Sequence, residues 1–228
     1  HNYTLEAIYG FATKTLHLDL DPVDDMTYSS LAVGGTSTGP TLINLTNAYM
    51  PYGNGGKYYK ASMISKVVDT NSGEVIIDNE NVEGEQAVSG ETSYVMNKLL
   101  QTVINESGGT GTSARLSNKE IAGKTGTTEN WRDITFIGLT PDFVSGIWVG
   151  YPHGGNSDAI KNADSSRIWY SIFGEYADSY ESDAEFPECD TVVYKKYCSK
   201  SGLIANDKCP TGGYGYYKSS NCAKCNIH

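Results

Sequence analysis

Between residues 120 and 151 the helical spacing of the preceding sequence gives way to alternation. EIAGKTGT, ITFIGLT and FVSGIWVGY, separated by a short polar stretch and by a Pro141-Asp142 turn, predict three successive antiparallel strands. A sheet of this kind must bury at least one face, so the flanking segments have to supply the covering layers. Those flanks read as helices. Leu5, Ile8, Tyr9, Ala12 and Leu16 follow helical spacing behind Thr4 as N-cap, which predicts a helix over 4–17 that DLDPVDDM then ends. Pro40 suits the first turn of a second helix carrying Leu42, Ile43, Leu45, Ala48 and Tyr49, stopped by Gly53, Gly55 and Gly56. SMISKVVD, TNSG and EVIID predict a hairpin. Ser89 caps a third helix with Val95, Met96, Leu99, Leu100, Val103 and Ile104 on its buried side, and Gly108 and Gly109 stop it. Residues 158–177 return to a helical pattern through Ile168, Trp169, Ile172 and Phe173. The predicted fold class is α+β, an antiparallel sheet flanked by helices, in a domain spanning 1–177. EYADSYESDAEFPECD carries seven carboxylates and no base, so 178–188 reads as a solvated acidic linker leading to a cysteine-rich tail over 189–228.

Charge singles out one residue. Seventeen Lys and Arg against 27 Asp and Glu leave a net charge of −10, with no basic cluster able to track phosphates, which argues against nucleic-acid binding. No stretch approaches the roughly 18 consecutive apolar residues of a membrane-spanning helix. The first residue is His1, not methionine, and the chain is read as a processed or partial one. Against this acidic background, IAGKTGTT sets Lys124 among glycines and threonines. A strand edge can place Lys124, Thr125 and Thr127 side by side, with Gly126 permitting close backbone approach, and an anionic peptide terminus needs such a cation and such hydroxyl donors.

GKTGTT followed by DITFIGLTPDFVSGIWVGY resembles the C-terminal half of a penicillin-binding protein transpeptidase domain. LAVGGTSTGPTLINLTNAYMPYGNGGKYYKASMISKVVD is similar to the stretch that precedes the lysine motif in class A, bifunctional members, and SGLIANDKCP is similar to their C-terminal extensions. The resemblance covers most of residues 5–175 and, more loosely, 187–228. It implies a serine β-lactamase/D,D-transpeptidase-like fold, incomplete at its N-terminal side. It also implies a substrate, the D-Ala-D-Ala end of a peptidoglycan stem peptide, which β-lactams mimic. By the same resemblance Lys124 and Thr127 are catalytic, and Thr125, Gly126, Thr127 and Thr128 bind substrate. The Thr127 N–H would be one of two oxyanion donors. The parent would be anchored in the bacterial membrane and act on its extracytoplasmic face, near cell-division or elongation proteins, with no cofactor. The family's serine belongs to a Ser-x-x-Lys motif with Ser-x-Asn downstream. No serine here precedes a lysine by three positions, and the one Ser-x-Asn, Ser219-Ser220-Asn221, follows the lysine motif. The expectation is therefore a piece that begins beyond Ser-x-Asn, without the glycosyltransferase domain, and that is inactive alone.

Two other readings compete. Gly35-Thr36-Ser37-Thr38-Gly39 fits the nucleophile-elbow pattern of an α/β-hydrolase esterase, with His153 or His228 downstream, although Pro40 argues for a helix starting after Gly39 and no parallel βαβ alternation is visible. A catalytically inactive cell-wall binding or scaffolding module is the other. Trp131, Arg132 and Asp133 read as a solvated hairpin end, or else as a cleft rim. All five cysteines, Cys189, Cys198, Cys209, Cys222 and Cys225, fall beyond residue 188. Cys222, Cys225 and His228 have zinc-like spacing, but an extracytoplasmic setting favours disulfides. The expectation is at least one disulfide within 189–225 and no stoichiometric metal.

Overall fold

The computed structural model describes residues 3–37, 39–80, 82–151 and 157–227. Thr38, His153 and His228 lie outside the described residues. At its centre the three strands form as expected: β5 (Ala122–Thr127), β6 (Asp133–Leu139) and β7 (Val144–Gly150), antiparallel in that order. Four shorter strands precede them in two antiparallel pairs, the second enclosed in sequence by the first. β1 (Lys57–Tyr58) pairs with β4 (Glu85–Gln86), and β2 (Lys66–Val68) with β3 (Val75–Asp78), the hairpin that the sequence predicts.

Alternation along β6 splits the core into two layers. Phe136 points to one face, where it meets Ile104, Leu116 and Trp169, and Ile137 and Leu139 point to the other, with Leu100, Ala122 and Leu45. Helix α3 (Leu42–Tyr49) supplies Leu45 and Tyr49, α4 (Gly90–Asn105) supplies Leu100 and Ile104, and α5 (Ser165–Trp169) supplies Trp169. Phe136 and Trp169 are both fully buried and meet edge-on at 5.8 Å, and the Trp169 Nε1–H donates to Ser145 Oγ on β7 at 2.7 Å.

Helix ends follow their caps. Thr4 accepts from the Ala7 N–H and Ser89 from the Thr92 N–H, each satisfying a donor that has no partner inside the helix. The first helix is α-helical only over α1 (Leu5–Gly10) and continues as a π-helical turn over Phe11–Thr15. There the Thr13 hydroxyl donates back to the Tyr9 carbonyl, as Ser and Thr do where a helix deforms. A six-residue helix, α2 (Tyr28–Val33), was not legible in sequence; Thr27 caps its start and Gly34, at φ 75°, ends it. Pro40 corrects the expected start of α3. The N-cap is Thr41, whose hydroxyl accepts from Asn44 N–H, so the proline lies before the helix rather than in its first turn.

Several of the expected apolar helix positions face outward, among them Ile43 at 56% exposure, Leu99 at 50% and Ile172 at 57%. On α4 the buried stripe includes two polar residues instead. Ser93 Oγ donates to the Pro51 carbonyl and Asn97 Nδ2 to the Tyr52 carbonyl, which ties α4 to the turn after α3. After α5 the chain passes through a π turn (Tyr170–Gly174) into α6 (Glu175–Ser179). The acidic stretch beyond it is pinned by Phe186, which is buried with Leu100, Ala122 and Leu139. The tail forms its own hairpin, β8 (Val192–Cys198) with β9 (Thr211–Lys218). Its docking onto α4 is polar and aromatic: Lys218 Nζ donates to Ser89 Oγ and Thr92 Oγ1, and Tyr216 meets Tyr94 edge-on.

Candidate functional site

The lysine motif occupies β5, which has β6 on one side and is an edge of its sheet on the other. Thr128 N–H donates to the Asp133 carbonyl at 3.0 Å. Backbone groups alternate direction along a strand, so Gly126 and Lys124 also turn their N–H and C=O toward β6, and those of Thr125 and Thr127 point to the free edge. One observation agrees: Lys124 Nζ reaches round to the Thr125 carbonyl at 2.6 Å.

The glycines of the motif set how closely the strands approach. A Cβ on Gly123 would lie 2.7 Å from Phe136 Cζ and 2.8 Å from the Ile137 carbonyl oxygen, and one on Gly126 would lie 2.5 Å from Thr135 Oγ1. Gly123 accepts no side chain without a shift of β5, which would move Lys124, Thr125 and Thr127 with it, whereas at Gly126 the obstacle is the Thr135 hydroxyl, a side-chain atom.

Of the residues singled out by sequence, Lys124, Thr125, Gly126 and Thr127 stand together on the edge strand, with Lys124 and Thr127 exposed. Thr128 does not share that edge. Its hydroxyl accepts from Asp133 N–H at 2.9 Å and donates to Asp133 Oδ2 at 3.1 Å, so it closes the β5–β6 turn. Asp133 is accordingly half-buried and engaged, not a solvated turn residue; its other oxygen accepts from Trp148 Nε1–H at 2.8 Å. Within that turn Asn130 and Trp131 both take left-handed backbone angles, φ 56° and 53°, uncommon for a residue as bulky as Trp131. Trp131 is 43% exposed beside the motif.

Sequence reasoning missed Thr110, in the loop after α4, whose Oγ1 lies 2.6 Å from Thr125 Oγ1. Nothing in the spacing signals it, because the pair is brought together only by α4 packing against β5. A hydroxyl has one proton and two lone pairs. With Thr110 donating, Thr125 keeps its own proton for a ligand.

Ser37 does not sit on a strand-to-helix elbow. Helix α2 precedes it, residues 34–36 are loop, and its backbone N–H donates to Asp25 Oδ1 at 2.6 Å. Asp25 is a fully buried carboxylate. Burial works against its ionisation, but the N–H groups of Ser37 and Asp21 outweigh it and hold the carboxyl below the usual range, so Asp25 organises this loop. A cavity of about 740 Å³ lies between His17, Asn44, Asn47, Tyr58, Tyr59 and Glu85, and no residue of β5 lines it. The chemistry of the lysine motif is on an open strand edge, not in that cavity.

In the tail all five cysteines are free thiols. The Sγ atoms of Cys198, Cys209 and Cys225 all lie within 4.8 Å of one another. Burial opposes ionisation of Cys198, yet the Ser201 and Lys200 N–H groups hold its thiol down at about 6.

A family model described as the penicillin binding protein transpeptidase domain matches residues 22–157. Penicillin-binding protein 1A of Clostridium botulinum is 30% identical over 159 residues, covering 70% of this chain and 19% of its own. Penicillin-binding protein 1A of Clostridium novyi is 29% identical over 208 residues, covering 87% and 23% respectively. The chain thus spans about a fifth of the length of these relatives. Among solved structures, penicillin-binding protein 1A from Haemophilus influenzae superposes with a TM-score of 0.65 at 17% identity, over 95% of this chain and 38% of that one, which is a likeness of fold.

Proposed function

The chain belongs to the penicillin binding protein transpeptidase family, and from that premise we propose that β5 is the substrate-binding edge of a peptidoglycan D,D-transpeptidase. The observation that carries the reading is the free edge of β5 with Lys124, Thr125 and Thr127 grouped on it. An extended peptide ending in D-Ala-D-Ala, or a β-lactam, pairs with the outward N–H and C=O groups of Thr125 and Thr127, as peptides add to sheet edges elsewhere. The Thr125 and Thr127 hydroxyls donate to the ligand carboxylate, Lys124 supplies the positive charge beside it, and the Thr127 N–H receives the oxyanion. In an acyl transfer, loss of one such donor costs about 3 kcal/mol.

A serine nucleophile with a base in hydrogen-bond reach is still required, and no serine of these residues stands three before a lysine. The division of labour is therefore that this chain contributes the carboxylate and oxyanion half of the site, and the Ser-x-x-Lys half comes from other residues. The parent works on the extracytoplasmic face of the membrane; among the described residues no helix is long and apolar enough to cross one. Residues 1–177 make up the transpeptidase portion and 189–228 a separate tail, which is supported by β8 and β9 forming a two-stranded sheet of their own. The intervening 178–188 is a strap, held at Phe186.

Fluorescent penicillin distinguishes the halves. The 228-residue chain alone stays unlabelled, and the same chain joined to a family segment bearing Ser-x-x-Lys and Ser-x-Asn is labelled. Saturable covalent labelling of the chain alone would overturn the division and make one of its own serines the nucleophile.

A further inference from the structure

Among the described residues of 189–227, the only buried ones are Cys198 and Cys225. A segment of this size that buries no aliphatic or aromatic side chain has no core of its own, and chains in that position are held by covalent or metal staples. The three converging thiols come from three separate places. Cys198 ends β8. Cys209 sits in the turn between the strands, where its Sγ accepts from the Asn206 N–H at 3.3 Å. Cys225 follows β9, held by its N–H on the Ile204 carbonyl and by Asn206 Nδ2 on its own carbonyl.

We propose that Cys198, Cys209 and Cys225 bind one thiophilic divalent metal ion, zinc in the first instance, which closes the tail into a unit. A disulfide needs two sulfurs at about 2.05 Å and leaves the third converging thiol with no role. Thiolates around one zinc, each at about 2.3 Å from the metal, stand roughly 3.8 Å from one another, and sulfurs that already lie within 4.8 Å need only a small closure to reach it. The N–H of Asn206 on Cys209 Sγ is the kind of donor that stabilises a bound thiolate. Structural zinc takes four ligands. Cys222, three residues before Cys225 in a Cys-x-x-Cys spacing, is the nearest thiol along the chain for the fourth position; in this structure it donates to the Lys218 carbonyl instead. The geometry thus favours a metal over the disulfide that the setting alone suggests.

The test uses the whole 228-residue protein, purified without chelator or affinity metal. The expected result is about one zinc per chain by elemental analysis, with all five thiols titratable once the protein is denatured with chelator present. Replacing zinc with cobalt(II) should give the intense thiolate-to-cobalt charge-transfer absorption, which reports sulfur ligation without relying on a variant that folds. Cys198→Ser, Cys209→Ser and Cys225→Ser should each lose the metal, and Cys189→Ser should keep it. Metal-free protein overturns the proposal, whether its thiols are reduced or a pair of the three is oxidised and the intact mass is lighter by the corresponding hydrogens. Full zinc retention in Cys209→Ser overturns it as well.

Discussion

A single methyl group added at Gly123 should damage both the fold and the site, while the same change at Gly10 should stabilise the protein. An alanine Cβ at residue 123 would stand 2.7 Å and 3.1 Å from the Phe136 ring and 2.8 Å from the Ile137 carbonyl oxygen, where carbon contacts normally settle at about 3.5–4 Å. Phe136 cannot swing aside, because it is fully buried with Trp169 edge-on against it. The Ile137 oxygen belongs to the strand paired with β5, so relief requires the two strands to move apart. Overpacking of this kind costs about 1–3 kcal/mol, and the backbone clash places Gly123→Ala toward the upper end. Gly10 has ordinary helical angles, φ −61° and ψ −38°, and nothing within 4 Å of its absent Cβ; alanine there should gain about 0.5–1 kcal/mol. Urea unfolding followed by tryptophan fluorescence reads both. With a slope of roughly 2–3 kcal/mol/M, Gly123→Ala should lower the midpoint by about 1 M and Gly10→Ala should raise it by a few tenths. A Gly123→Ala midpoint equal to or above that of the parent protein would refute the close strand packing on which the position of Lys124 depends.

Thr110→Val, in a protein completed with the serine half, should slow penicillin acylation about two- to twelve-fold, the value of one neutral hydrogen bond, with an unchanged urea midpoint; an unaltered rate would remove Thr110 from the positioning of Thr125. Asp142 accepts from Ser182 and Lys119, which hold its carboxyl below the usual range, and Lys119 Nζ lies 2.9 Å from it in a largely shielded pair. A depressed carboxylate stabilises the folded state above its unfolded pKa of about 4 and loses that contribution as pH falls through the folded value. Asp142→Asn should therefore be less stable than the parent by about 1–2 kcal/mol near pH 7, with the gap closing below about pH 4; a pH-independent gap would contradict the linkage.

The sheet was legible in sequence because period-two alternation in ITFIGLT and FVSGIWVGY is enforced by burial on both faces of β6, and the caps Thr4 and Ser89 were legible because a helix start has a local chemical signature. What was not legible depends on packing at a distance. Helix α2 is only six residues long, too short for a periodic signal. Leu99 lost its expected place to Ser93 and Asn97, polar residues made suitable for burial by carbonyls of the turn after α3. Phe186 sits among carboxylates that conceal its role as an anchor. At the site, the motif residues were visible as a string, but the exclusion of Thr128 from the free edge follows from its bonds to Asp133, and the pairing of Thr110 with Thr125 spans 15 residues. The convergence of Cys198, Cys209 and Cys225 follows from hairpin register and the bridge between Ile204 and Lys224, which spacing along the chain does not encode.

The central claim is that the free edge of β5 receives the ligand carboxylate, and the acylation rate constant for a fluorescent penicillin, measured on this chain joined to a Ser-x-x-Lys and Ser-x-Asn segment, tests it most directly. Thr125→Val and Thr127→Val should each slow acylation by about 12- to 160-fold, corresponding to about 1.5–3 kcal/mol for a hydrogen bond to a charged group. Lys124→Ala should slow it further, and His17→Ala and Tyr58→Phe, in the separate cavity, should leave it unchanged. Acylation that survives all three β5 substitutions at the parent rate, or that falls instead with the cavity variants, would contradict the account.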